Sequence, residues 1–331
     1  KEQLINTHYD FKEIVPGAFF EYTYLPNDFI TVVGGVRLDH HNVYGWLFNP
    51  RLHLRYAASE SLVFRMSGGS GMRTPLPIAE NLAWLASSRD WTIGEPGQMQ
   101  NNFPYNGLEM EKAWNFGASV TKEFTIDYRS GLLAVDFFHT RFTNRAIADL
   151  DISPQQLWIY NLDGQSYAST FQAEAQYEIL KRVDLKVAYK WQDAQIAYRG
   201  AGMREQIFTP GSRFFVNVAY VSSIATYKGH WRLSVTAHNT GSQRIPDTYT
   251  NPVAFQLKES SPDYWLFNGQ LTRVFNKSFE VYAGIENIGN YKQSPVIIDA
   301  ENPHGEYFDA GLIWGPIFGR EWYVGFRYAL K

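Results

Sequence analysis

The sequence predicts an all-β protein, a transmembrane antiparallel β-barrel, on three observations. Apolar and polar side chains alternate along many segments, so each segment has one apolar and one polar face. These segments run for about 10 to 14 residues, the length a tilted strand needs to cross a bilayer, whereas soluble strands usually have about 5 or 6. Short turns and long loops join the segments in succession, which is typical of outer-membrane barrels.

The alternation is clearest in the middle of the chain. Between residues 171 and 191, apolar residues such as Val187 occupy the odd positions of two segments, and polar residues such as Lys186 occupy most even ones. Val235 and Ser234 stand in the same relation in a later segment. We expect the valines to face lipid and Lys186 and Ser234 to face a hydrated lumen. A large soluble β-sandwich is the alternative, but its strands would be shorter.

Thirteen segments of this kind predict thirteen strands. Their approximate bounds are 14–25, 29–41, 50–58, 62–71, 112–124, 131–147, 167–179, 183–198, 213–222, 230–241, 264–275, 278–287 and 320–330. The tight connections lie near residues 26–28, 59–61, 127–129, 181–182 and 276–277, and the longest ones span 72–110 and 288–319. In outer-membrane barrels short turns face the periplasm and long loops face outside.

Composition narrows the class of protein. The chain has 331 residues, of which 16% are aromatic and 19% charged, and no apolar run reaches the length of a membrane-spanning helix. The formal net charge of −3 gives no electrostatic footprint for nucleic acid. Without cysteine, the chain forms no disulfide.

The order of turns and loops indicates whether the predicted strands form a complete barrel. The first predicted strand leads into a tight turn and the last follows a long loop, so both run toward the periplasm. A complete single-chain barrel has an even number of strands with both ends in the periplasm. Thirteen strands lead us to expect that residues 1–331 are the C-terminal portion of a larger barrel.

Several sequence motifs follow one another in a fixed order. They occupy residues 36–39, 49–51, 64–75, 108–117, 137–147 and 281–290, and the closing segment is 315–330. Their order and spacing resemble those of the TonB-dependent outer-membrane receptors, although Met110 stands where that family usually has proline. Residues 313–316 resemble Bacteroidetes-type members.

This resemblance implies an architecture and a set of partners. The family implies a barrel of 22 strands around an N-terminal plug domain, so the plug and the first barrel strands would lie outside this chain. It also implies contact with outer-membrane lipid in a Gram-negative bacterium, coupling to the TonB–ExbB–ExbD complex through the N-terminal part, and the barrel assembly machinery. A small molecule or metal chelate is the expected ligand, a surface lipoprotein is a further candidate partner, and no cofactor is expected.

The closing residues match an assembly signal of outer-membrane barrels. Gly325, Tyr328 and Leu330 have the spacing of its glycine, aromatic and hydrophobic positions, although Lys331 follows where an aromatic residue usually ends the chain. The simpler interpretation is that Tyr328 and Leu330 belong to the lipid face of an alternating strand. Both interpretations place that strand in the membrane.

Aromatic and charged residues of the predicted extracellular loops are the candidate ligand contacts. They are suited to holding a bulky polar ligand by stacking and charge. These candidates are Arg73, Trp84, Arg89, Trp91, Tyr105, Trp158, Tyr160, Tyr264 and Trp265. The alternative is a self-packed loop, because long loops need small cores of their own, and some of the aromatics would then be interfacial.

Metal ligation is a further possibility that the sequence leaves open. The histidine candidates for haem are His40, His41 and His304, but adjacent strand residues point to opposite faces, so His40 and His41 could hardly share one metal. The carboxylates that could bind calcium are Asp149, Asp151, Asp299, Glu301, Glu306 and Asp309, for which solvated loop charge is the alternative.

Three functions fit a barrel of this kind. The preferred one is TonB-dependent uptake of a scarce nutrient complex, such as a ferric siderophore, haem, cobalamin or another metal chelate, rather than a large glycan. A barrel enzyme of lipase or protease type is an alternative, but nothing in the spacing of His238, Ser242 and Asp247 singles out a catalytic set. A passive channel or adhesion scaffold is the third.

Overall fold

The computed structural model describes residues 2–4, 7–9, 12–94, 107–222 and 229–330, with side chains from residue 12 onward. Almost all of the regular structure is β-strand. The strands are β1 (Glu2–Leu4), β2 (Thr7–Tyr9), β3 (Gly17–Asn27), β4 (Ile30–His41), β5 (Gly45–Ser59), β6 (Leu62–Arg73), β7 (Asp90–Ile93), β8 (Glu111–Ile126), β9 (Arg129–Asn144), β10 (Ala146–Asp149), β11 (Gln156–Asn161), β12 (Ser166–Leu180), β13 (Val183–Tyr198), β14 (Gly202–Glu205), β15 (Ser212–Val221), β16 (His230–Thr240), β17 (Tyr264–Val274), β18 (Phe279–Glu286) and β19 (Glu321–Tyr328).

Helical structure is limited to three short elements in the described ranges. They are α1 (Pro77–Glu80) and two 3₁₀ turns, Leu82–Ala86 and Val253–Phe255. None of the helices in the described ranges is long and apolar enough to cross a membrane.

One large antiparallel sheet contains the thirteen predicted strands in chain order. It runs from β3 to β19 with every neighbour antiparallel, and the short β14 pairs with β13 beside this path. Among the described strands, β3 and β19 each pair with a single neighbour, so the sheet is open. The all-β antiparallel prediction is confirmed. The strands β7, β11 and β14 are additions inside the predicted loops, and β1 and β2 precede the first predicted strand. The predicted end of the strand 131–147 is wrong, because β9 ends at Asn144 and residues 146–147 belong to β10 of a separate small sheet.

The largest boundary error concerns β5. The sequence predicts that this strand starts at residue 50, whereas it starts at Gly45, and Pro50 lies inside it opposite Val36 of β4. Proline has no backbone N–H to donate to a neighbouring strand, and for this reason it is unusual inside a strand. Here β5 nevertheless runs through Pro50 from Gly45 to Ser59. Gly45 takes a φ of +75°, which lets the chain reverse over residues 42–44.

The register separates an apolar face from a polar face across the sheet. Val187 of β13 lies opposite Val216 of β15, which lies opposite Ala237 of β16. One residue away, Lys186 lies opposite Asn217. We call the face that carries Val187 the outer face and the face that carries Lys186 the inner face, in agreement with the alternation of the sequence.

The connections differ at the two ends of the strands. At one end, called the turn end, they are short, as at residues 60–61, 127–128 and 181–182. At the other, called the loop end, five connections are long. These five, residues 74–110, 145–165, 199–211, 241–263 and 287–320, are together called the loop layer.

Tryptophans mark the loop end of the outer face. Each of them lies on the outer face in the loop-end half of its strand and is at least 41% exposed, which is typical of residues at a membrane interface. They are Trp46, Trp114, Trp191, Trp265 and Trp322.

The last hairpin packs tyrosine against glycine on the inner face. Tyr282 of β18 lies opposite Gly325 of β19, and Tyr323 lies opposite Gly284 in the reciprocal arrangement. A Cβ atom at Gly325 would lie 2.4 Å from the Tyr282 hydroxyl, so only glycine leaves room for the ring. Tyr328 lies on the outer face, where it is 61% exposed. The structure therefore gives Gly325 a packing role beside its place in the predicted assembly signal.

Candidate functional site: the loop layer

The loop layer is built around a small sheet of its own. The order of its strands is β10–β11–β7, with β10 antiparallel and β7 parallel to β11. Because β7 comes from the connection 74–110 and the other two from 145–165, this sheet ties two loops together.

Apolar side chains cover both faces of the small sheet. Leu157 and Ile159 on one face belong to a buried cluster to which the connections 74–110 and 287–320 also contribute, and partly buried residues of 199–211 and 241–263 pack against it. The members of this cluster are Ile78, Trp84, Ile93, Leu108, Leu150, Leu157, Ile159, Ile298 and Leu312. On the other face, Ile147 and Tyr160 pack against Ile196 and Tyr198 at the end of β13. The first cluster is therefore a core formed by the loops themselves, whereas the second joins the small sheet to β13 of the large sheet.

A buried ion pair joins the first and the last loops. Arg89 Nε donates to Asp309 Oδ2 at 2.9 Å, and both side chains are less than a tenth exposed. Arg89 Nη1 also donates to the carbonyls of Ser153 and Gln156 in the connection 145–165. Burial lowers the pKa of Arg89 and raises that of Asp309, so each charge depends on its partner. One guanidinium thus holds three chain segments together.

A second buried polar contact lies under the small sheet. Tyr160 Oη donates to Asp149 Oδ2 at 2.6 Å, and the Asp151 backbone N–H donates to the other carboxylate oxygen. Burial raises the pKa of Asp149 and also that of Tyr160. The guanidinium of Arg199 lies 4.3 Å from the centre of the Tyr160 ring. Tyr160 is therefore held by the hydrogen bond of its hydroxyl to Asp149 and by the guanidinium of Arg199 over its ring.

Asp151 forms the third polar contact. Arg244 Nη1 donates to Asp151 Oδ2 at 2.6 Å, and Arg204 Nη1 lies 3.7 Å from the same oxygen. Arg244 Nε donates to the Glu205 carbonyl, while its buried Nη2 has no hydrogen-bond partner in the described part of the chain. This pair connects the segment 145–165 to 241–263.

Gln293 holds the last loop together from within. Its Nε2 donates to the Leu312 carbonyl, and its Oε1 accepts the backbone N–H groups of Trp314 and Gly315. Tyr264 lies beside this arrangement, stacked on Tyr291 with ring centres 5.0 Å apart. All polar positions of this side chain are therefore used to shape the loop 287–320.

The predicted ligand contacts fall into three groups. Trp84, Arg89 and Tyr160 are each less than a tenth exposed and support the loop layer from within, as the self-packed alternative requires. Trp265 lies on the outer face beside Phe267, so its place is that of an interfacial residue. Tyr105 lies outside the described residues.

The remaining four candidates are at least partly accessible. Arg73 is exposed at the end of β6, where its guanidinium pairs with Glu80 and Glu111. Trp91, Trp158 and Tyr264 are half-buried. Trp91 and Trp158 lie on opposite faces of the small sheet, since Trp91 is paired with Leu157 and Trp158 with Thr92. The structure therefore does not bring these two tryptophans together.

The metal alternatives find no support in the part of the chain that is described. It contains no group of three or more His, Cys, Asp or Glu residues that could hold an ion. His41 is buried with Nε2 3.1 Å from Glu13, while His40 packs against Trp46 on the outer face, as the strand geometry predicts. The expectation of solvated charge is wrong for Asp149, Asp151 and Asp309, which are buried or paired inside the loop layer.

The structure does not assemble the triad that the enzyme alternative would need. His238 lies on the inner face with Nε2 3.2 Å from Asn268 Nδ2. Within the described residues, no hydrogen bond connects it to Ser242 or Asp247. These three residues are close in sequence but have different neighbours.

The loop layer also has exposed apolar residues that the sequence does not single out. Leu82 and Leu85 project from the first loop, and Tyr249 and Val253 project from the fourth, where Val253 is 85% exposed. Single apolar residues in irregular segments carry no periodic signal, so the sequence alone does not distinguish them from buried ones.

A family model decides the class of the protein. The model described as "TonB dependent receptor-like, beta-barrel" matches residues 5–288. The chain belongs to this family. The curated proteins, by contrast, include no match.

Solved TonB-dependent receptors share the fold at low sequence identity. A mutant of the ferric enterobactin receptor PfeA from Pseudomonas aeruginosa has a TM-score of 0.66 at 14% identity, over 96% of this chain and 45% of that one. The ferric-catecholate import receptor Fiu from Escherichia coli K12 has 0.64 at 14%, over 96% and 44%. The siderophore receptor PirA from P. aeruginosa has 0.57 at 11%, over 96% and 46%. The chain thus spans less than half the length of these receptors.

Proposed function

We propose that this chain is the C-terminal part of an outer-membrane receptor of a Gram-negative bacterium, which takes up a scarce nutrient complex by TonB-dependent active transport. The observation that carries this proposal is the combination, in a member of this family, of an apolar outer face, a polar inner face and a packed loop layer at one end. A receptor needs these three parts to stay in the membrane, to surround a hydrated path and to bind ligand outside.

The cargo is a metal chelate in this proposal. Ferric siderophores, haem and cobalamin are preferred over glycans, and the solved receptors that share the fold include ones named for ferric enterobactin and ferric catecholates. The accessible candidates combine the guanidinium of Arg73 with the aromatic rings of Trp91, Trp158 and Tyr264, which suits a bulky, polar chelate.

The ligand contacts divide into direct and supporting ones. Arg73, Trp91, Trp158 and Tyr264 are proposed to contact ligand directly, because their side chains are at least partly accessible. The buried candidates Trp84, Arg89 and Tyr160 would act through the shape of the loop layer. Tyr105 remains a prediction from the sequence, and Trp265 would act as an interfacial residue and not as a ligand contact.

The partners follow from the proposed transport. A plug domain and further strands would precede this chain in the full-length receptor and would couple it to the TonB–ExbB–ExbD complex. Insertion would use the barrel assembly machinery, for which Gly325, Tyr328 and Leu330 are the candidate signal, and a surface lipoprotein could cover the loop layer.

The experiment compares uptake by cells with and without the full-length receptor. Loss of the receptor should abolish uptake of one labelled ferric siderophore, haem or cobalamin complex. A Trp158→Ala receptor should bind that complex more weakly, while Trp265→Ala, a matched change on the outer face, should bind it normally. Unchanged growth on every chelate and on glycans without the receptor would refute the uptake proposal.

A further inference from the structure

Two cations lie together on the outer face at the loop end. Lys112 is the second residue of β8 and Arg141 lies near the end of β9, and both are exposed. Arg141 is directly opposite Trp114, and Lys112 lies two residues before Trp114 on the same face. Two positive charges therefore flank one indole ring, which is 42% exposed.

No carboxylate of the described residues neutralises either cation. In the described ranges, no carboxylate pairs with the side chain of Lys112 or Arg141, and neither side chain donates a hydrogen bond. Glu111 pairs with Arg73 on the inner face, and Asp193, which accepts the hydroxyl of Tyr167, lies two strands away from Arg141. The two charges thus remain available to an external anion.

The surface beneath the two cations is largely apolar, although His139 lies between Arg141 and Phe137 with its Nδ1 2.9 Å from Ser169 Oγ. Phe116 follows Trp114 along β8, and the two rings stack with centres 6.4 Å apart. Phe137 and Val135 continue the same face on β9 and are both more than 40% exposed. The cations consequently stand at the boundary between an apolar band and the loops, the depth at which lipid head groups lie.

We propose that Lys112, Arg141 and Trp114 bind the phosphorylated head group of a lipid in the leaflet at the loop end. Phosphate oxygens would accept charge-assisted hydrogen bonds from both cations, and the acyl chains would lie along Phe116 and Phe137. The apolar surface directly below the cations favours a lipid over free phosphate. The site lies outside the loop layer and extends the proposed function, resting only on the outer face being in contact with lipid.

The test measures lipid retained by the full-length receptor. The receptor is reconstituted in phosphatidylcholine nanodiscs with a minor fraction of diphosphoryl lipid A, transferred to detergent, and examined by native mass spectrometry. The unmodified receptor should retain the phosphorylated lipid. A Lys112→Gln/Arg141→Gln receptor should lose it, with affinity falling roughly fivefold for each charge removed near the membrane surface.

Matched variants distinguish binding at this site from a nonspecific effect of removing positive charge from the receptor. Arg55→Gln/Arg65→Gln removes the same charge from the inner face, where these two arginines lie opposite each other, and should leave lipid retention unchanged. Arg141→Lys keeps the charge and should retain most of the lipid. Equal retention by the double Gln variant, or displacement of the lipid by inorganic phosphate, would overturn the proposal.

Insertion is measured separately by heat-modifiable gel mobility. An inserted double Gln variant that loses lipid supports the site, and its uptake of chelate should be unchanged. If the unmodified receptor does not insert at all, the membrane assignment fails and this site fails with it. Loss of chelate uptake with normal lipid retention would instead count against the proposed function alone.

Discussion

At the scale of single residues, the loop layer depends on a few buried polar side chains. Arg89, Asp149 and Asp309 are all less than a tenth exposed, and each has a specific partner from another part of the chain or sheet. A buried charge without its partner is far more costly than a solvated one. Small changes at these residues should therefore affect whole loops.

The Arg89–Asp309 pair provides the first test. Arg89→Met leaves Asp309 buried without its cation, so we expect the free energy of unfolding to fall by about 3–5 kcal/mol. Denaturant titration of the receptor with protease sensitivity of the loops as the readout measures this change. Arg51→Met, which breaks the half-exposed pair with Glu21, is the control and should cost at most about 1 kcal/mol. A smaller effect at Arg89 than at Arg51 would contradict the role assigned to the buried pair.

Asp149 predicts a pH dependence of the loop layer. Burial raises its pKa in the folded state, so the folded state holds the proton to higher pH than the unfolded state. Its contribution to stability is therefore present below the unfolded pKa of about 3.9 and is lost as pH rises through the folded pKa. Loop protease resistance should decline over that window, and Asp149→Asn should flatten the decline. An identical pH profile in the variant would refute the assignment.

At the scale of strands, the register fixes which side chains meet lipid. Val187 and Val235 belong to the outer face, and Lys186 and Ser234 belong to the inner face, across several consecutive pairings. A shift of one residue would exchange the two faces, so the alternation itself protects the register.

The facing of the strands can be tested with arginine. Val187→Arg or Val235→Arg would place a charge in the apolar band and should cost about 2–4 kcal/mol at the bilayer midplane. Lys186→Arg and Ser234→Arg are the matched inner-face changes and should be tolerated. Folding yield into phosphatidylcholine vesicles measures both sets, and equal damage from the two would show that the faces are misassigned.

The final hairpin offers a steric test. Gly325→Val would bring side-chain atoms against the Tyr282 ring, whereas Gly289→Val has open space around its Cβ position. We expect the first change to reduce assembly and the second to be tolerated. Barrel assembly in cells, followed by heat-modifiable mobility, compares them. Normal assembly of Gly325→Val would mean that the tyrosine ring moves aside at little cost.

At the scale of the whole molecule, an open sheet supports one loop layer. The edges β3 and β19 are not paired with each other in the described structure, and exposed strand edges cannot persist in lipid. Expressed alone, the 331-residue chain should therefore fail to give a heat-modifiable band, and a longer receptor that contains it should give one. A closed barrel made from the short chain alone would contradict the proposal that further strands precede it.

The sequence by itself determined the strands and their faces. An alternation with a period of two follows directly from strand geometry, so thirteen strands, their order and the facing of Val187 and Lys186 could be predicted without the structure. The errors are at strand bounds, as at Pro50, where β5 extends back to Gly45, and in the loops, whose short strands β7, β11 and β14 the alternation did not predict.

Only the tertiary structure decided the roles of the loop residues. Arg89 and Asp309 are 220 residues apart, and no periodic pattern connects them, so their pairing depends on how five loops pack. The same holds for Trp84, which the sequence offered as a ligand contact and the fold buries in the loop core. Strand faces are set by neighbours one and two residues away, whereas burial in a loop is set by contacts that exist only after the chain has folded.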